Sequence, residues 1–101
     1  MGWTIRNGSG GSAPSYLAVE QLGRACADVL PGRDYRAIRA LFHRRDSEPF
    51  TVAPGEARSM AAALTRASEH RRMPAAHAVL AEKLAASAQQ AARTRQPWSW
   101  S

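Results

Sequence analysis

The forty residues PGEARSMAAALTRASEHRRMPAAHAVLAEKLAASAQQAAR, from Pro54 to Arg93, decide the fold. Pro54 is suited to a first helical turn, Glu56 sets a carboxylate where the helix dipole favours it, and no further proline follows until Pro74. Ala57, Met60, Ala61, Leu64, Ala67 and Ser68 recur at intervals of three and four, which predicts a helix from Pro54 to about Arg71. Met73 precedes a proline and is pushed out of the α region, so the first helix ends there. Pro74 then opens a second helix to about Arg93, with Ala76, Val79, Leu80, Leu84, Ala88 and Ala91 expected inside. A break this short makes the two helices an antiparallel hairpin. Its inner faces are mostly alanine, which allows close approach but buries little area per residue. The rest of the chain must supply much of the core.

Upstream, a second helical pair fits. Ser12 and Ser15 are both competent N-caps, and Leu22, Ala25, Cys26, Val29 and Leu30 form one apolar stripe that Pro31-Gly32 stops. Tyr35, Ile38, Leu41 and Phe42 predict a helix from Arg33 to about Arg44. At about 100° per residue, Arg33, Arg36, His43 and Arg44 fall opposite that apolar side and Arg39 at its flank. This is the most basic surface in the sequence, interrupted by Asp34 and, beyond it, Asp46. Phe50-Thr51-Val52 reads as a brief strand or an extended lead-in. Gly2 to Arg6 alternates as a short strand with Trp3 and Ile5 on one face. The glycine-rich stretch from Gly8 to Ser12 reads as a flexible connector. Trp98 and Trp100 alternate in the same way, and three tryptophans are too apolar to leave in water. The two terminal segments are therefore expected to lie together, as a minimal sheet over the helices. The fold class is mainly α: four helices as two packed hairpins, with short terminal β segments, in a single small helical domain.

Length and composition bound the function. A chain of 101 residues with 45% hydrophobic content is one globular domain. No apolar run is long enough for a bilayer, and residues 1–6 lack the apolar core of a signal peptide, so a cytoplasmic protein is expected. Arg6 stands where a myristoylation motif needs Ser or Thr. A single cysteine, Cys26, permits no internal disulfide and no cysteine-based zinc site. The net charge of +6 and pI near 11 come from thirteen arginines and one lysine against eight carboxylates. That balance points to an anionic partner, although an Ala- and Arg-rich, Lys-poor composition also follows from a GC-rich genome.

The opening Met-Gly-Trp-x-Ile, the Val29-Leu30-Pro31 stop before an aromatic and Arg-rich helix, the Pro49-Phe50-Thr51-Val52-x-Pro54 joint and the ending Gln96-Pro97-Trp98-Ser99-Trp100 resemble a family of short uncharacterised proteins from Streptomyces-type actinobacteria. The resemblance spans nearly the whole chain. It implies an origin and a complete native chain, and it assigns no activity and no site residue.

Candidate sites follow from residue chemistry. Arg33, Arg36, Arg39 and Arg44, with Arg71 and Arg72 at the hairpin bend, are the expected partner-binding residues. Guanidinium groups bind carboxylates and phosphates in bidentate fashion. His70 and His77 near the bend have only Glu69 as a local carboxylate, and flanking arginines repel a cation, so no metal is expected. Gly8-x-Gly10-Gly11 lacks the Gly-Lys-Ser/Thr ending of a phosphate loop. Cys26 sits in an apolar stripe and reads as core, and His43 with Asp46 has no nucleophile nearby. The sequence therefore predicts a non-enzymatic interaction or regulatory module, without cofactor, that docks its arginines on an acidic protein. The alternative is a DNA- or RNA-binding module that places the same arginines on phosphates. As a helix-turn-helix reader, its second helix offers no Asn or Gln for base edges.

Overall fold

The computed structural model describes residues 2–7, 11–42 and 48–101. Its elements are β1 (Ile5–Arg6), β2 (Gly11–Ser12), α1 (Tyr16–Val29), α2 (Gly32–Phe42), β3 (Phe50–Val52), α3 (Pro54–Glu69), α4 (Ala75–Thr94) and β4 (Trp98–Trp100). The fold is mainly α, with α3 and α4 in the most extensive packing contact and α1 packed on α2.

Local chemistry explains the helix ends. The hydroxyl of Ser15 accepts a 3.0 Å hydrogen bond from the Ala18 amide, which caps α1. Pro54 stands in the first turn of α3 with Glu56 behind it. At the other end of α4, Arg95 adopts a left-handed conformation, φ 56°, and the Arg95 and Gln96 amides donate to the Ala92 and Ala91 carbonyls. That pair of bonds is a Schellman motif. α1 and α2 approach closely at Gly23, where an added Cβ would lie 2.6 Å from the Phe42 ring and 2.7 Å from its Cβ. A glycine inside a helix weakens it intrinsically, and here the vacant side-chain space is filled by an aromatic ring from the next helix.

The strands form one antiparallel sheet in the order β2-β1-β4-β3. Ile5 pairs with Trp100 and Arg6 with Ser99, while Phe50, Thr51 and Val52 pair with Trp100, Ser99 and Trp98. The expected association of the two terminal segments is present, and Phe50–Val52 joins it as a true strand. The expected connector from Gly8 to Ser12 is corrected in part. Gly11 and Ser12 pair with Arg6 and Ile5, and the run continues through a Trp3 amide bond to the Pro14 carbonyl and a bridge between Gly2 and Ser15. Residues 8–10 lie outside the described residues. Backbone pairing needs no side chain, so a glycine-rich segment is admitted beside β1.

Alternation along β1 and β4 turns Trp3, Ile5, Trp98 and Trp100 into the core with Leu22, Ile38, Leu41, Leu64 and Leu84. The Trp3 ring meets Tyr16, Phe50 and Trp100 edge-on at centroid distances of 5.2, 5.5 and 5.6 Å. Trp98 Nε1 donates to Ser87 Oγ at 2.9 Å, and the buried Asn7 Nδ2 reaches the same hydroxyl at 3.4 Å. Ser87 thus ties α4 to both central strands of the sheet, β4 through Trp98 and the end of β1 through Asn7.

The inner face of α4 differs from the expected one. Val79 is 51% exposed and Ala76 is exposed, while Ala81, Ala85, Ser87 and Ala92 are buried beside the expected Leu84, Ala88 and Ala91. The helix packs against α3, α1 and β4 together, so its buried arc is wider than a single stripe.

Candidate interaction surface

Asp34 organises the basic surface. It lies in the first turn of α2, where its charge suits the helix dipole, yet it is only 8% exposed. Its Oδ1 accepts a 2.8 Å charge-assisted hydrogen bond from Arg66 Nη2 of α3. The carboxylate expected to interrupt the arginine row is therefore turned inward and already paired. Arg33, Arg36 and Arg39 are exposed on α2, and none forms an ion pair with a described residue. Arg36 is steadied by its Nε, which donates to the Gly32 carbonyl at 3.3 Å. Arg39 stands near enough to Tyr35 to oppose the upward push that burial and Cys26 exert on the phenol.

Arg71 and Arg72 are exposed in the bend between α3 and α4. The Arg72 amide donates to His70 Nδ1 at 3.1 Å, which engages that ring nitrogen in the bend itself. Because Arg66 lies less than one turn before the end of α3, its bond to Asp34 brings the start of α2 and the bend to the same end of the molecule. The two arginine groups, more than thirty residues apart in sequence, therefore flank the Asp34–Arg66 bond from α2 and from the bend. Arg44, together with His43 and Asp46, lies outside the described residues.

The other candidates separate. Cys26 is fully buried in α1, and burial pushes its thiol up to about 12. A thiol held protonated is a poor nucleophile, and its packing among core side chains is that of a small apolar residue. Among the described residues, no group of three or more His, Cys, Asp or Glu side chains is placed to hold a metal ion. No described helix is long and apolar enough to cross a membrane.

Sequence reasoning passed over a second charged feature. A groove of about 510 Å³ runs along the outside of the α3–α4 hairpin and is lined by Arg58, Arg66 and Arg93 around Ala61, Ala62 and Ala92. A second depression adjoins it, sharing Thr65 and Gln89 and lined by Glu69 and Glu82. The signal was present as Arg58, Ala62, Thr65 and Glu69 at alternating steps of four and three, on the flank of the apolar stripe.

A family model for a domain of unknown function, DUF7739, matches residues 6–101. No curated protein matches the chain, and no solved structure matches it.

Proposed function

We propose that this chain, which belongs to the DUF7739 family, is a small non-enzymatic interaction module of the bacterial cytoplasm that docks exposed arginines on an acidic protein partner. The observation that carries this reading is the inward turn of Asp34 onto Arg66, which leaves Arg33, Arg36 and Arg39 as an uninterrupted row of cations. Arg71 and Arg72 extend the row toward the bend at the same end of the molecule. Guanidinium forks on a helix and a bend suit carboxylates presented by a folded partner. An actinobacterial origin accords with the Arg-rich, Lys-poor composition.

The test is affinity capture from a nuclease-treated actinobacterial lysate with the wild-type protein and with the triple variant Arg33→Ala, Arg36→Ala, Arg39→Ala. The wild type should retain an acidic protein that the variant loses, at equal helical content. Unchanged capture by the variant overturns the assignment. The uninterrupted row also favours a second reading, contact with nucleic-acid phosphates. That reading requires binding of a random duplex or single strand whose affinity falls about 10³- to 10⁵-fold between about 50 and 200 mM salt.

A further inference from the structure

We propose that the outer groove of the α3–α4 hairpin is the contact surface for a second copy of this chain, in an antiparallel two-fold dimer. The groove is bipolar. Arg58 and Arg93 line one end, Glu69 and Glu82 the other, and Thr65 and Gln89 are common to both halves. Arg66 at the basic end is already answered by Asp34, whereas these four exposed side chains form no ion pair with any described residue. The groove therefore presents two free cations and two free anions.

Their spacing is self-complementary. Arg58 and Glu69 are eleven residues apart on α3, and Glu82 and Arg93 are eleven apart on α4. At about 1.5 Å per residue, both pairs span about 16 Å along their helices. A two-fold axis across the middle of the hairpin, perpendicular to the helices, lays α3 over the second copy's α3 and α4 over its α4, each antiparallel. Arg58 then faces Glu69 of the other copy and Arg93 faces Glu82, four cross-pairs from one symmetric contact. The other face-to-face arrangement, with the axis along the helices, sets arginine against arginine and glutamate against glutamate. Charge thus selects one register. The small side chains of Ala62 and Ala86 at the middle of the groove let the copies approach.

The size of the face sets the strength. A hairpin of this length is about 24 Å long by about 20 Å wide, a footprint of about 500 Å² per copy, below the roughly 800 Å² of a standard stable interface. The dimer should be weak, in the micromolar range, and sensitive to salt. This contact is independent of the α2 arginines and needs no other partner.

Sedimentation equilibrium of the purified protein at about 100 μM tests it. The wild type should move from the 11.0 kDa monomer toward twice that mass at low salt and return toward monomer as salt rises. Variant one, Arg58→Glu with Arg93→Glu, and variant two, Glu69→Arg with Glu82→Arg, should each associate at least about 10-fold more weakly, because every facing pair becomes like-charged. An equimolar mixture of the two should restore association as a heterodimer, since all four pairs are again opposite. A monomeric wild type at low salt overturns the proposal. So does self-association of either variant at wild-type strength, and so does failure of the mixture to associate while both variants keep wild-type helical content.

Discussion

Cys26 and Asp34 show how burial changes what a side chain does. Cys26 has an ordinary value of 9.0 and is raised to about 12 because the folded interior disfavours the thiolate. Above about pH 9 the unfolded chain gives up this proton while the folded chain keeps it, so the folded state binds more protons and loses stability as pH rises. The contribution is full below pH 9 and declines between about pH 9 and 12. Tyr35, also raised by burial, acts in the same direction at higher pH. Urea denaturation at pH 8, 9.5 and 10.5 should give a falling midpoint for the wild type and a shallower fall for Cys26→Ala, whatever the variant's offset at pH 8. Parallel slopes would reject the assignment. The core position of Cys26 was legible because its stripe partners Leu22, Val29 and Leu30 are local. The burial of Asp34 was not, because its partner Arg66 is thirty-two residues away and an acidic residue in a first helical turn ordinarily faces water.

At the scale of the element, the ends of the helices were more legible than their faces. Pro31, Pro54 and Pro74 punctuate the chain through steric rules that act within a residue or two. The faces of α4 depend on what surrounds it. Alanine occupies every side of this helix, so the apolar pattern points weakly, and Val79, which that pattern places inward, lies in the open. The C-terminal cap of α4 carries a local strain that the sequence does not advertise. Arg95 sits at φ 56°, a conformation in which a Cβ is crowded and glycine is not. Its backbone bonds to Ala92 and Ala91 need only the main chain. Arg95→Gly should therefore raise stability by about 1 kcal/mol, equivalent to a Tm increase of about 4–8 °C in a domain of this size. Thermal melts followed by circular dichroism decide it, and a Tm at or below the wild-type value would show that the Arg95 side chain contributes more than its backbone costs.

For the whole molecule, β4 is the piece on which the others converge. It lies between β1 and β3, so three stretches far apart in sequence meet on two buried indoles. The apolar alternation of Trp3, Ile5, Trp98 and Trp100 made the meeting of the terminal segments legible. The central place of β4 was not, because Phe50–Val52 is equally readable as a lead-in and pairing order depends on how the helical hairpins set the sheet. Trp98 and Trp100 together remove about 300–500 Å² from water, worth at most about 7–12 kcal/mol at about 25 cal/mol/Å². That is comparable with the whole stability of a small domain, about 5–15 kcal/mol. Ending the chain at Gln96 removes both indoles, both pairings of β4 and the Trp98 bond to Ser87 in one step. The shortened chain should lose cooperative unfolding, and the remaining Trp3, 5% exposed in the full protein, should emit at the wavelength of a hydrated indole. Single substitutions grade the same argument. Trp98→Phe loses a hydrogen bond as well as area, whereas Trp100→Phe removes a buried Nε1 that has no partner among the described residues. Trp100→Phe should therefore cost less than Trp98→Phe by about 1–3 kcal/mol, the penalty attached to an unpaired buried polar group. Equal losses, or a chain to Gln96 that still melts cooperatively near the wild-type temperature, would move the centre of stability from the sheet to the helical hairpins.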